Sequence, residues 1–163
     1  MVSEARTKTL VLGLGNPILG DDSIGLCVAR ALEGKLNQQS ATVMEASLSG
    51  LNLLEQLVGF DKAIIIDAIQ TRGGKAGQIY RLEPEAFNTT RRTLASHDVS
   101  FTSALELGKK LGLALPRQIV IFAIEVAKIG TFSEQCTQEV ESSIPAVVNM
   151  VVDELAASSS TSL

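Results

Sequence analysis

The 163-residue chain predicts an α/β protein, a three-layer α/β/α sandwich around a mostly parallel five-stranded sheet that carries one antiparallel strand. Three observations predict it. Short apolar runs alternate with segments of helical spacing, the pattern of strand–helix–strand units. The apolar runs are nearly continuous and not alternating, as expected of strands covered on both faces. One link, residues 70–78, is too short for a helical crossover, so the strand after it must run antiparallel, at an edge.

The elements follow in order. KTLVLGLG (8–15) is a buried strand ending in glycines. Helical spacing runs from Ile24 to about Leu36, with Asp22 or Ser23 placed to cap its start. ATVMEA (41–46) reads as a strand, LNLLEQLV (51–58) as a short amphipathic helix, and KAIIIDAI (62–69) as the clearest buried strand. A glycine-rich turn leads to the strand IYRLEP (79–84), and residues 85–96 read as loop. A helix over about 99–112, the strand QIVIFAIE (118–125) and a helix from about 134 to 156 complete the set. Residues 1–7 and 157–163 are expected to be flexible tails on a single domain spanning 1–163.

A hydrophobic content of 45% suits one sizeable core. No run reaches the ~18 apolar residues of a membrane span, and the polar start MVSEARTK is not a secretory signal. A cytoplasmic monomer with no membrane partner is expected. The net charge of −4 argues against a nucleic-acid partner, and Arg91-Arg92 reads as a solvated loop. Cys27 shares a helical face with apolar residues and is expected in the core, while a disulfide between Cys27 and Cys136 is not expected in a chain with no sign of export. The lone histidine, His97, excludes an HExxH zinc site, and no GxSxG nucleophile motif occurs.

The stretch VLGLGNPILGDDSIG (11–25) holds the chemistry. Its glycines match the start of a dinucleotide fingerprint at Gly13 and Gly15, and Glu45 ends the second strand where a ribose-binding acid sits. The third glycine position is Ile18, however, and Asp21 and Asp22 would repel a pyrophosphate. The topology offers another reading. Ligands of open α/β sheets sit outside the carboxyl ends of the parallel strands. Asp22 follows the first strand there, Asp67 ends the third, and His97 precedes a helix that must start on the same rim. Two carboxylates and an imidazole suit a divalent transition metal with open positions. Each also has a plain structural role: Asp22 as a helix cap, Asp67 as a strand-end turn residue, His97 as a loop residue. Glu45 and Glu125 are further rim acids.

GLGNPILGDDSIG, with IIIDAI and SHD further on, resembles the hydrogenase maturation endopeptidases over about residues 9–155. The resemblance implies an endopeptidase of the aspartyl type in broad terms, removing a carboxy-terminal extension from the large-subunit precursor of a nickel–iron hydrogenase after nickel insertion. It assigns the metal-contacting and catalytic roles to Asp22, Asp67 and His97, with the nickel supplied by the substrate. Asn16 and Gly25 match the family's loop asparagine and small first-turn residue. Glu45-Ala46 departs from the commoner Asp-Gly. A non-catalytic nickel-checking partner of the precursor would use the same residues.

Overall fold

The structure, a computed structural model, describes residues 6–37, 41–47, 51–90, 100–127 and 132–160. Its five strands are β1 (Thr9–Leu14), β2 (Thr42–Ala46), β3 (Lys62–Ile69), β4 (Ile79–Leu82) and β5 (Gln118–Glu125), in the sheet order β2-β1-β3-β5-β4. Four run parallel; β4 is antiparallel to β5 and lies at the edge, as the short 70–78 link requires.

Helices cover both faces. α1 (Ile24–Glu33) and α6 (Ile144–Ser160) lie on one, where Val11, Ile64, Ile66, Phe122 and Ile124 meet Val28, Leu32, Val147 and Val151. α2 (Leu51–Leu57), α3 (Pro84–Thr90) and α4 (Phe101–Lys110) lie on the other, over Leu10, Leu12, Ile65 and Ile121. Both faces of β1 and β3 are thus buried, so these strands carry unbroken apolar runs.

Three expectations are corrected. Residues 85–96 were expected to form a loop, but Pro84–Thr90 is helical. Proline suits a first helical turn, and Phe87 seats the helix by burying its ring in the core, a single anchor that leaves little periodicity to detect. The expected helix 134–156 is broken into α5 (Gln138–Glu141) and α6. Pro145 lacks the N–H that a continuous helix would need and stands instead in the first turn of α6. Finally, α6 continues through residues 157–160, within the stretch expected to form a flexible tail. A buried cation explains this. Lys62, only 4% exposed, reaches from β3 to Glu154 at 3.1 Å and to the hydroxyl of Ser158. Arg81 on β4 clamps the same carboxylate at 2.8 and 3.0 Å.

The two guanidinium bonds, with Lys62, hold the Glu154 carboxyl below its usual range. A depressed acid stabilises the fold above its unfolded pKa and loses that contribution as pH falls through the folded one. Glu154→Gln should therefore cost about 2 kcal/mol at pH 7, because it leaves Lys62 buried without a counter-charge. In denaturant titrations the gap from wild type should close as the pH drops from about 5 to 3. An undiminished gap at pH 3 would exclude the ionic origin.

Candidate active site at the carboxyl rim of the sheet

β1 ends at Leu14, and the chain must turn at once into α1. Glycines make that turn compact. A Cβ on Gly25 would fall on the carbonyl oxygens of Leu14 and Ile66, and one on Gly15 would fall on the carbonyl of Asp22. The first turn of α1 therefore lies directly against the ends of β1 and β3, closer than any side chain would allow. β2 steadies the turn: the Gly15 N–H donates to the Ala46 carbonyl at 3.2 Å, and the Ser47 hydroxyl donates to the Gly15 carbonyl at 2.6 Å. Asn16 shapes the next bend by accepting from the Ile18 N–H on its side-chain oxygen at 3.2 Å.

A 3-10 turn, Gly20–Ser23, follows, with Gly20 at φ 54°, a left-handed conformation that suits glycine. It separates the acidic pair. Asp21 is buried and accepts two bonds from Thr137, from its N–H at 2.6 Å and its hydroxyl at 3.0 Å, tying the turn to the start of α5. Asp22 is half-buried at the rim. Neither Asp22 nor Ser23 makes the expected cap of α1: no side-chain cap bond forms there, and the Ser23 hydroxyl donates to the Gly20 carbonyl at 2.6 Å instead.

Burial pushes the Asp22 carboxyl up, and a hydrogen bond from the Asn16 backbone only partly offsets this. Its carboxylate is therefore short of positive charge, a state that a nearby cation would relieve. Asp67 stands two residues from the end of β3, half-buried, with the Ala68 N–H donating to its carboxylate at 2.8 Å. Strand alternation sets Asp67 on the same face as Ile65 and Ile69, the face that carries α4. The 3-10 turn packs against β3, so both carboxylates occupy one sheet edge. α4 begins at that edge, with its first turn capped by Ser100, whose hydroxyl accepts from the Ser103 N–H at 3.2 Å. His97 lies outside the described residues. Among the described residues, no three His, Cys, Asp or Glu side chains gather closely enough to hold a metal ion.

The other rim acids are engaged. Glu125, 2% exposed at the end of β5, accepts from the Thr71 N–H at 2.9 Å and hydroxyl at 3.0 Å, anchoring the turn that leads to β4. Glu45 pairs with Arg30 of α1 at 2.8 Å, an exposed contact. The roles of Asp21 and Glu125 depend on partners at Thr137 and Thr71, and no local sequence signal marks them. A parallel bridge joins Leu19 to Ser133, and the residues that precede these two, Ile18 and Phe132, are 52% and 81% exposed. A groove of about 350 Å³ between α3, α4 and the start of β5 lies at the opposite edge of the sheet.

Comparison with known proteins agrees with this architecture. The family model described as hydrogenase maturation protease matches residues 26–154. The hydrogenase expression/formation protein HupD of Thiocapsa roseopersicina is 22% identical over 154 residues, 91% of this chain and 68% of that protein. The hydrogenase 2 maturation protease of Escherichia coli is 32% identical over 79 residues, 48% of each chain. The structure of the hydrogenase maturating endopeptidase HybD from E. coli superposes with a TM-score of 0.79 at 25% identity, covering 93% of this chain and 94% of that one. Among the described residues, no helix is long and apolar enough to cross a membrane.

Two expected outcomes separate the acidic neighbours. Asp21→Ala should cost about 1–2 kcal/mol, because the turn loses both of its bonds to Thr137 and with them its tie to α5. Asp22→Asn should leave the denaturation midpoint unchanged or raise it: an acid whose pKa is raised by folding stabilises most at low pH, so at neutral pH its charge is a cost. Equal losses in both variants, measured by urea unfolding at pH 7, would overturn this division. Gly25→Ala should cost at least about 3 kcal/mol, since backbone carbonyls of two strands cannot both withdraw.

Proposed function

Because the chain belongs to the hydrogenase maturation protease family, a family of peptidases, we propose that it removes the carboxy-terminal extension of a nickel–iron hydrogenase large-subunit precursor after nickel insertion. In this reading Asp22, Asp67 and His97 contact the nickel that the precursor carries. The observation that carries the proposal is the pair of half-buried carboxylates, Asp22 and Asp67, on one sheet edge.

The chemistry of the donor set supports the reading. Among the described residues no cation offsets the burial of Asp22, so its carboxylate has a demand for positive charge that a divalent ion on the substrate meets at the moment of docking. Two carboxylates and one imidazole hold a free ion weakly, which suits a test of whether another protein is loaded. Recognition then depends on the precursor supplying both the ion and the peptide. The exposed side chains of Ile18 and Phe132 offer apolar surface over which an extended segment would pass. With the peptide held there, a rim carboxylate is placed to accept a proton from the attacking water. The cation would counter the negative charge developing on the scissile carbonyl oxygen.

The test is cleavage of purified precursor with and without nickel. Nickel-loaded precursor should be shortened and nickel-free precursor should remain whole, and the isolated protein should hold far less than one metal ion per chain. Asp67→Asn and His97→Ala should melt near the wild-type temperature yet lose at least about a hundredfold in cleavage rate, the scale of removing a group that stabilises developing charge. Cleavage of nickel-free precursor at the same rate, or full activity in Asp67→Asn, would defeat the proposal. Tight binding of loaded precursor without cleavage would assign a checking role alone.

A further inference from the structure

We propose that Cys27 and Cys136 form a reversible intramolecular disulfide beneath the Asp21–Asp22 turn, a modification site written by a low-molecular-weight disulfide. From the sequence no disulfide between these cysteines is expected, in a chain with no sign of export. The fold brings them together. Cys27 lies in the first half of α1 and Cys136 just before α5, and both thiols converge on one hydroxyl. Ser23 Oγ is 3.8 Å from the Cys27 sulfur and 3.5 Å from that of Cys136. Ser23 Oγ is thus a hydrogen-bonding neighbour of both thiols. Both residues are free and half-buried, so Cys27 is less enclosed than its apolar surroundings implied, and a small oxidant can approach.

Oxidation would leave no buried group stranded. In the reduced protein the Cys136 thiol donates weakly to the Gly20 carbonyl at 3.7 Å, while the Ser23 hydroxyl donates to the same oxygen at 2.6 Å. Loss of the two S–H hydrogens removes only the weaker donor, and the carbonyl keeps the stronger one. The neighbouring tie from Asp21 to Thr137 already fixes the segment that carries Cys136 against the turn that carries Ser23. With that tie in place, closing the proposed bond calls for rotation of the two side chains toward each other.

The reaction balances with glutathione disulfide as the oxidant. The Cys27 thiolate attacks one sulfur of the glutathione disulfide, breaking its S–S bond and releasing one glutathione thiolate. The Cys136 thiolate then attacks the sulfur of Cys27 in the mixed disulfide and expels the second. Two protein thiols are oxidised, one glutathione disulfide is reduced to two glutathione molecules, and the two thiol protons end on these. Burial holds the Cys136 thiol up at about 11, which makes it a slow partner for outside reagents. The intramolecular step overcomes this by effective concentration. Closing a chain segment of more than a hundred residues restricts the unfolded state, so the oxidised protein is the more stable form.

The experiment equilibrates the full chain in glutathione buffers of increasing glutathione disulfide content. The wild-type mass should fall by two hydrogen atoms. Non-reducing peptide mapping should join the Cys27 peptide to the Cys136 peptide, and the melting temperature should rise by roughly ten degrees. Dithiothreitol should reverse all three. Cys136→Ser should stop at a single glutathione adduct on Cys27. Separate adducts on both cysteines of the wild type, disulfide-linked dimers, or unmodified thiols in glutathione disulfide alone would overturn the proposal. The readout does not involve cleavage, so it stands apart from the proposed activity.

Discussion

The seating of Gly25 against the carbonyls of Leu14 and Ile66 is the contact on which the rest of the rim depends. It brings a helix terminus to the ends of two parallel strands at backbone distance, leaving no room for a side chain between the layers. The connection from β1 must therefore climb over the sheet edge, and the compact bend at Gly15 and Asn16 followed by the 3-10 turn is how it does so. Asp22 is exposed to the rim because the backbone beneath it has nowhere lower to go.

The acidic pair shows how one residue of sequence separates scaffold from chemistry. A 3-10 turn rotates successive side chains by about a third of a circle, so Asp21 turns inward to Thr137 while Asp22 does not. The inward carboxylate spends its charge on two donors. The outward one is desolvated, and a single bond from the Asn16 backbone offsets only part of that cost. The same contrast recurs on the sheet, where Glu125 is satisfied by Thr71 and Asp67 sits on the face toward α4.

Much of this was legible in the sequence, and the failures have physical causes. Unbroken runs such as KAIIIDAI marked the buried strands, and the short 70–78 link marked the reversed edge strand, because both follow from hydrogen-bonding geometry that tolerates little variation. α3 escaped notice because one phenylalanine anchors it, too few apolar positions to make a period. The break before α6 was signalled by Pro145, but the long apolar face around it outweighed that sign. The burial of Lys62 could not be read, since its counter-charges come from Arg81's neighbour Glu154 in a distant helix. Asp22 and Asp67 were legible because strand ends in parallel sheets share an edge by topology alone. The partners of Asp21 and Cys136 were not, because each is set by where the last third of the chain lands.

That last third has a consequence for the order in which the molecule comes into being. The turn bearing Asp22 belongs to the first strand–helix unit, yet its anchor, Thr137, is 116 residues further along. Lys62 likewise waits for Glu154, 92 residues on. Contacts of such long range are expensive to close early and form late. A chain still leaving the ribosome can assemble β1, α1, β2 and β3 while the Asp21 carboxylate remains bare. Only when the segment after β5 emerges can the turn be fastened, so the rim is the last part of the enzyme to set. A nascent or truncated chain would display the strands of the sheet without the fastened turn at its rim.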